Sequence, residues 1–494
     1  MNPFVGDQLA NLHRLAPEVV LSVFGMLVMI ADPFVGAARK RVLGWVAFAG
    51  AVLALASVHI ANHFPGPAYS DLIRVDSFSM FAHVIILVAV ALAILGSLDY
   101  LDQQHIQRGE YYALVLFAAA GMGILAGANE LVTAFVGLEM SSIASYVLVG
   151  FRRRSPASNE ASLKYFLLGS FATAFFLYGV AMIYGATGTT RIDTVQAALE
   201  KIITADQREP ALAVLSLALI FVGLGFKVVV APFQVYAPDV YEGAPTPVTA
   251  LLASAPKAAT FALMIRIFYV AFSPLTGLWF WLICVVAVLT MLVGNLAALV
   301  QTNVKRMLAY SSIAHAGYIL VAFAASTSLG VAAVLFYLAA YIFMKVGAFL
   351  IVTHLGQQDE KRVAIQDYSG LGSKQPVVAA CFSLFLLSLL GLPATGGFLG
   401  KFFAFQSALI VQRRSLTLLV VIAAINSVIG AYYYLRVIIT MYFQAPSRDY
   451  TPSRVAPAVG IALAIAAAGT LYLGILPSRV LDLAQAAADS LFSH

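Results

Sequence analysis

The chain has 494 residues, of which 61% are hydrophobic and 11% charged, and its mean hydropathy is +0.91. This composition excludes a soluble globular domain and indicates an integral membrane protein. The net charge of +6 does not indicate nucleic-acid binding, because the Lys and Arg residues lie in short connections and form no basic face with interleaved aromatics.

Long apolar runs without two-residue alternation predict membrane-spanning helices and exclude a β-barrel. We expect about fourteen spans, so the predicted fold class is an all-α polytopic membrane protein. The approximate limits, in chain order, are 16–37, 42–62, 76–97, 110–128, 131–151, 162–186, 211–231, 246–272, 277–299, 305–325, 329–354, 376–412, 415–443 and 456–476.

Positive residues in the connections predict the orientation. If the amino terminus lies outside, the inside connections carry fourteen Lys and Arg residues and the outside segments carry eight. Since short cytoplasmic loops are enriched in Lys and Arg, both termini are expected on the periplasmic side of a bacterial inner membrane. The pair Arg413 and Arg414 runs against this trend.

Two spans are predicted to be broken helices. The seventh is interrupted at Pro232, before the stretch PFQVYAPDVYEGAPTP, and the twelfth by GLPATGGFLG between Gly391 and Gly400. Proline removes a backbone donor and glycine loosens a helix. Lys227 precedes the first break and Lys401 follows the second. Paired interrupted spans are typical of inverted-repeat transporters, which build ion sites there.

Five ionisable side chains lie within otherwise almost uncharged runs: Glu139, Lys227, Lys257, Lys345 and Lys401. A charge at mid-membrane costs about 2.5–3.5 kcal/mol on insertion scales, so such residues indicate functional sites. A buried carboxylate that faces a buried lysine can exchange a proton with it, which favours proton handling. A structural ion pair is the alternative for Glu139 and Lys227.

The other lysines differ in their surroundings. Lys257 follows Pro256, at an expected kink that frees a carbonyl for an ammonium or a water, which favours a relay site. Lys401 adjoins a broken helix, whereas Lys345 is either a relay lysine or an ion-pair partner. His315 lies in a polar stripe of the tenth span, where helix–helix hydrogen bonds are favoured over a water chain.

Several polar residues are expected to have ordinary roles. Lys164 forms an i,i+4 pair with Glu160, and either modulates the buried charges or belongs to a surface pair. Arg266 is expected to snorkel to the outer face of the membrane. Asp76 lies at a span end, where it is expected to cap a helix or to be solvated. The two cysteines, Cys284 and Cys381, have no metal-ligand or redox spacing.

Five segments carry a family resemblance: FVGLEMSSIASYVLVGF, EASLKYFLLGS, APFQVYAPDVYEGAPTPVTALLASAPKAATFALMIR, NVKRMLAYSSIAHAGYIL and GLPATGGFLGKFFAF. They closely resemble subunit N of bacterial NADH-quinone oxidoreductase, respiratory complex I. The resemblance runs from about Glu18 to the last span. The segment PDVYEGAPTPVTALLASAPKAA looks like the N type, since subunits L and M and cation/proton antiporter subunits typically have PDAH in place of PDVY.

The resemblance implies a fourteen-helix antiporter-like fold with two inverted five-helix repeats, spans 4–8 and 9–13, and broken helices 7 and 12. The corresponding division of the chain is 1–109 for spans 1–3, 110–272 for the first repeat, 273–443 for the second repeat, and 444–494 for span 14 and the tail.

The resemblance also implies residues for proton transfer. Glu139 and Lys227 would be the coupled pair of the first repeat, Lys257 the central relay, and Lys401 the terminal residue of the second repeat. Lys164 matches a further family lysine, and Lys345 is similar to a lysine of subunit L. The sequence departs from the family at Gln234 and Tyr236, where His and Trp are expected. A proton-carrying role of that histidine therefore cannot be assigned to Gln234. Its side chain could still hold a water.

The function implied is proton translocation by the membrane arm, coupled to electron transfer elsewhere. NADH, FMN, iron–sulfur clusters and quinone would be bound by other subunits, and this chain would hold no redox cofactor. Its partners would be neighbouring membrane-arm subunits and the lipid bilayer, with no nucleic acid. Two alternatives remain: a subunit of a cation/proton antiporter or an energy-converting hydrogenase, and a non-pumping scaffold of the membrane arm.

Overall fold

The structure is a computed structural model that describes residues 3–36, 39–206, 210–356, 358–446 and 454–492. The first helices are α1 Pro3–Arg14, α2 Ala16–Ala31, α3 Arg41–Asn62, α4 Ser77–Gln103, α5 Gly109–Gly127, α6 Leu131–Val149, α7 Pro156–Thr187, α8 Ile192–Asp206, α9 Ala211–Val228, α10 Ala237–Gly243, α11 Thr246–Leu252 and α12 Ala255–Arg266. The remaining helices are α13 Thr276–Leu299, α14 Val304–Ala324, α15 Ser328–Gly356, α16 Leu371–Lys374, α17 Pro376–Leu390, α18 Gly396–Ile410, α19 Arg414–Phe443, α20 Pro457–Ile475 and α21 Ser478–Phe492. A short antiparallel hairpin pairs β1, Gly66–Ala68, with β2, Ile73–Val75.

Thirteen helices of the described residues are long and apolar enough to cross a membrane, and α17 is a shorter apolar helix. This confirms the predicted all-α polytopic fold of about fourteen spans, because α17 and α18 together occupy the predicted twelfth span. Helices are the expected solution, since the backbone groups of each span must be hydrogen-bonded within the bilayer. Of the positive residues counted for orientation, Arg208 and Arg448 lie outside the described residues.

Among the helices that lie outside the predicted spans are α1, α8 and α21. The buried residues of α21 are Ala484, Ala487, Ala488 and Leu491, which recur at the spacing of one helical face. The short hairpin, α8 and α21 line one cavity and so lie together at one end of the bundle, which we call the hairpin end. These elements were missed because they are amphipathic and too short or too polar to resemble a span.

The seventh span is broken, as predicted, but the break begins before Pro232. Helix α9 ends at Val228, and Val229 adopts a left-handed backbone conformation with φ of 65°. The N–H groups of Val229 and Val230 donate to the carbonyls of Phe226 and Gly225, which closes the helix. The residue before a proline is disfavoured in the helical region, so α9 has to end upstream of Pro232.

The twelfth span is also broken, over residues 391–395, a shorter stretch than predicted. Gly391 has φ of +98° and ends α17, and the chain re-enters a helix at Gly396. The eighth span is interrupted too, between α11 and α12, with Pro256 in the first turn of α12. The kink predicted near Lys257 is therefore a complete break in the helix.

Arg266 does not snorkel to the surface, and that prediction is wrong. Its guanidinium is buried at the hairpin end and donates to both carboxylate oxygens of Asp76 at 2.7 Å. Asp76 also caps α4 by accepting from the Ser79 N–H at 2.7 Å. Burial raises the pKa of Asp76, but the charge and hydrogen bonds of Arg266 outweigh burial and leave the pKa below its ordinary value. A buried arginine is stable here because it has a carboxylate partner.

A second buried charge cluster lies at the opposite end of the bundle, around Glu360 in the connection after α15. The Glu360 carboxylate accepts from Lys305 Nζ at 2.8 Å and lies 3.1 Å from Arg152. It also accepts from the Tyr100 hydroxyl at 2.8 Å and from the Thr246 backbone N–H at 2.8 Å. One carboxylate thus joins α4, the α6–α7 connection, the start of α11 and the start of α14.

The variant Glu360→Gln is expected to destabilise the protein by about 3–5 kcal/mol, because Lys305 loses the carboxylate that compensates its burial. Burial raises the pKa of Glu360, but Lys305 and Arg152 bring it below the ordinary value of 4.5. The carboxylate therefore contributes stability above about pH 4.5 that is lost as the pH falls through the lowered value. Thermal unfolding of the purified protein between neutral pH and this acid range measures both effects.

Asp359→Asn is the matched control, because Asp359 is exposed and its ion pair with Lys361 is long, at 3.9 Å. It is expected to change the unfolding free energy by less than about 0.5 kcal/mol. Equal stability of Glu360→Gln and Asp359→Asn would show that the cluster does not hold the helices together.

Candidate functional site

Lys227 lies in the last turn of α9, immediately before the break, and is 8% exposed. Its Nζ faces the rings of Tyr146 and Tyr165, 5.4 Å from each ring centroid. Tyr165 in turn stacks on Tyr236, with centroids 5.2 Å apart and planes 6° apart. No described residue accepts a hydrogen bond from Nζ, so aromatic faces alone hold the ammonium. Tyr236 thus supports one of the two rings that face the ammonium.

Glu139 lies on α6 and is half-buried, not deeply buried as predicted. Its carboxylate acts electrostatically on Lys227 and on Tyr146. Within the described part of the chain, no salt bridge of 4.0 Å or less joins Glu139 to Lys227. The structure therefore brings the predicted partners into one electrostatic neighbourhood without direct contact.

Lys257 lies in the first turn of α12, directly after the break in the eighth span. Its Nζ donates to the Ser312 carbonyl and lies within hydrogen-bond distance of the Ser312 hydroxyl, both at 2.6 Å. The Tyr341 hydroxyl donates to the same Ser312 Oγ at 2.7 Å, and the Tyr341 ring centroid is 5.8 Å from Nζ. Lys257 is thus connected through α14 to α15.

Lys345 lies in the middle of α15 and is fully buried. Its Nζ donates to the Leu308 carbonyl at 2.6 Å and is 3.0 Å from the Ser311 hydroxyl. Tyr341, one helical turn before Lys345, presents its ring 5.9 Å from Nζ. Among the described residues no carboxylate forms an ion pair with Lys345.

Lys401 lies in α18, close to the break between α17 and α18. Its Nζ donates to the Leu390 carbonyl at 2.8 Å and is 2.8 Å from the Ser427 hydroxyl. The Tyr318 ring centroid lies 4.8 Å away. Leu390 is the last residue of α17, so the broken helix supplies the carbonyl that Lys401 uses.

Lys257, Lys345 and Lys401 share one arrangement, which we call the lysine–carbonyl–serine site. In each site the Nζ has one backbone carbonyl and one serine hydroxyl within hydrogen-bond distance. No described carboxylate pairs with any of the three, in contrast to Lys305 with its Glu360. An ammonium without a counter-ion is expensive in a low-dielectric interior, so each of these lysines can readily give up its proton.

His315 and three tyrosines lie between the Lys345 site and the Lys401 site. The Tyr434 hydroxyl is 2.5 Å from Ser311 Oγ and 3.2 Å from His315 Nε2, and the Tyr337 hydroxyl is 2.8 Å from His315 Nδ1. The His315 ring contacts the Tyr318 ring, which faces Lys401. The predicted polar stripe of α14 therefore makes helix–helix hydrogen bonds, and its serines also serve the lysines. Sequence reasoning missed Tyr341, Tyr434 and Ser427, because a tyrosine or serine inside an apolar span carries no distinct signal.

The remaining candidates lie apart from this row. Lys164 is partly exposed and pairs with Glu160 at 2.7 Å and with Asp239 at 2.8 Å. Gln234 is in the connection after α9, and its buried Oε1 has no hydrogen-bond partner among the described residues. A water is the ordinary partner for such an atom.

The chain is similar to known proteins along nearly its whole length. The model of the family described as "NADH:quinone oxidoreductase/Mrp antiporter, TM" matches residues 128–430, a segment that includes Glu139, Lys227, Lys257, Lys345 and Lys401. NADH-quinone oxidoreductase subunit N 1 of Solibacter usitatus is 47% identical over 479 residues, with 97% of each chain covered. Subunit N of Trichlorobacter lovleyi is 43% identical over 480 residues, again with 97% of each chain covered.

The chain belongs to the NADH-quinone oxidoreductase subunit N family. A chain of respiratory complex I from Thermus thermophilus superposes with a TM-score of 0.79 and 35% identity, covering 95% of this chain and 99% of that one. A chain of the Mrp complex from Dietzia sp. has a TM-score of 0.84 at 23% identity, covering 97% and 98%, and shows a shared fold. The resemblance seen in the sequence is therefore confirmed.

In this subunit N family member, Gly391→Ala is expected to lower the free energy of unfolding by about 1–2 kcal/mol, because only glycine adopts a positive φ at no cost. The added methyl would also lie 3.3 Å from Cδ and 3.5 Å from Nζ of Lys401. Thermal unfolding of the purified protein measures the change. Gly460→Ala is the control, since a methyl there lies in a helix with its nearest contact 3.8 Å away. Equal effects of the two substitutions would contradict the strain argument.

Proposed function

We propose that the chain is a proton-translocating subunit of the membrane arm of NADH-quinone oxidoreductase, in the bacterial inner membrane. The observation that carries this proposal is the row of three lysine–carbonyl–serine sites on α12, α15 and α18. NADH oxidation, FMN, iron–sulfur clusters and quinone reduction belong to other subunits, and this chain moves protons. Neighbouring membrane-arm subunits are its partners, and residues 110–272 and 273–443 are its two antiporter-like repeats.

The serine in each site allows the lysine to change protonation without losing its hydrogen bonds. A lysine ammonium has three donors, whereas the neutral amine has two donors and a lone pair. A carbonyl only accepts, but a serine hydroxyl accepts from the ammonium or donates to the amine. Rotation of one hydroxyl therefore accommodates arrival or departure of a proton at Lys257, Lys345 and Lys401.

Glu139 and Lys227 act as the switch of the first repeat. In the described state they are apart, and Lys227 is held by the rings of Tyr146 and Tyr165. Approach of Glu139 would stabilise the Lys227 ammonium, and retreat would release its proton toward Lys257. Quinone chemistry in other subunits would change the charge along the membrane arm and so drive this movement. From Lys257 the proton passes toward Lys345 and Lys401.

Lys227→Met and Glu139→Gln, each in the assembled complex, are expected to lower coupled quinone reduction and proton pumping together. A roughly tenfold loss, equivalent to about 1.4 kcal/mol, is the scale expected for removal of one proton-transfer group. NADH-driven proton uptake into membrane vesicles, measured beside the NADH oxidation rate, gives both quantities. Lys374→Met, which removes an exposed lysine at the end of α16, is the control. Unchanged pumping in both variants would refute the switch.

Lys345→Met separates a relay from a scaffold. If Lys345 is a relay, Lys345→Met lowers proton pumping per assembled complex as strongly as Lys257→Met does, because both substitutions interrupt the same row of lysines. A scaffold role predicts instead a smaller amount of assembled complex with normal pumping per complex. Quantifying the complex on native gels beside the pumping assay distinguishes the two, and normal pumping in both variants would overturn the proposed relay order.

A further inference from the structure

A second buried proton-binding group lies outside the segment matched by the family model, at the hairpin end of the bundle. Glu18, in the first turn of α2, and His83, in the second turn of α4, are both more than nine-tenths buried. Their atoms Oε1 and Nε2 are 2.6 Å apart. Neither residue takes part in the lysine row, and neither was singled out in the sequence.

The hydrogen bonds of His83 fix where its protons are. Nδ1 lies 2.6 Å from the Ser79 carbonyl, and a carbonyl only accepts, so Nδ1 carries a hydrogen. A contact of 2.6 Å between Nε2 and a carboxyl oxygen then requires a proton between them. That proton belongs either to a neutral Glu18 carboxylic acid or to a His83 imidazolium. The pair in this geometry therefore holds one exchangeable proton and has no net charge.

The second carboxyl oxygen of Glu18 has capacity for another proton. Oε2 is buried and has no hydrogen-bond partner among the described residues. The site is also shaped for the pair, because a β-carbon at Gly123 of α5 would lie 2.5 Å from Oε1 and 3.0 Å from Nε2. A glycine at this position of α5 leaves space that only the two polar groups use.

The surroundings connect the pair to the hairpin end. The other charged groups near it are Asp76 and Arg266, which neutralise each other, and Asp76 acts electrostatically on His83. Asp76 and Arg266 line a cavity of about 720 Å³ bounded by the hairpin, α8 and α21. His83 follows Asp76 by seven residues of α4, about 10 Å along the helix. The pair is therefore within two helical turns of a polar cavity.

We propose that Glu18 and His83 form a protonatable site that holds one shared proton and exchanges it with the aqueous phase at the hairpin end. On uptake of a second proton the pair becomes a neutral carboxylic acid beside an imidazolium. On loss of the shared proton a carboxylate faces the lone pair of a neutral imidazole. Both changes involve the Glu18 carboxyl group, and neither requires the lysine row.

Infrared difference spectra of the intact complex in lipid, recorded between acid and alkaline pH, test the site. A carboxylic-acid C=O band is expected that is lost in Glu18→Gln and shifted in His83→Gln. Ser97→Ala is the control. It removes an equally buried hydrogen bond between α4 and α5, from Ser97 to Tyr111 at 2.8 Å, which involves no carboxyl group. Its spectrum is expected to match that of the unsubstituted complex.

A purely structural pair would show no Glu18-dependent carboxyl signal across the pH range, and that result would overturn the proposal. If Glu18→Gln prevents assembly, Glu18→Asp and His83→Gln carry the test, since an unshifted C=O band in both would equally refute a shared proton. The spectra report the pair even if Lys227 and Lys345 prove not to conduct protons, so the two proposals fail separately.

Discussion

The cost of an unbalanced charge in the bilayer separates two groups of buried cations among the described residues. Arg266 and Lys305 have carboxylate partners, Asp76 and Glu360, in clusters that join several helices at the two ends of the bundle. Lysines of the other group donate only to carbonyls and hydroxyls. Paired cations are held charged and serve as structure, whereas the unpaired ones gain by losing a proton. Structure and proposed function thus follow from one physical distinction.

Breaks in the helices position three of the unpaired lysines, whereas Lys345 lies within the continuous helix α15. The last turn of α17 has free carbonyls, and Lys401 takes the one at Leu390. Lys257 sits at the start of α12, where the interrupted eighth span brings it against α14. Lys227 occupies the last turn of α9, where the break is closed by the backbone, and aromatic rings replace the missing acceptors.

Much of this arrangement follows from the sequence, and the remainder depends on packing. The spans, the breaks near Pro232 and Gly391, and the buried lysines are visible because apolar length, proline, glycine and isolated charge are strong local signals. The partners of those charges are set by contacts between distant helices, so the serine of Lys401 and the burial of Arg266 were beyond prediction. Glu360 illustrates the same limit. A carboxylate in a loop is expected to be solvated, and its contacts with four elements of the fold cannot be seen in the sequence.

Tyr341 links the charge states of two neighbouring lysines in the row. Its hydroxyl is bound to the serine of the Lys257 site while its ring borders Lys345, so one side chain forms the wall between two sites. Two ammonium groups on either side of that wall repel each other. Charging of one site therefore disfavours charging of the next, a negative cooperativity that would make protons advance singly along the row.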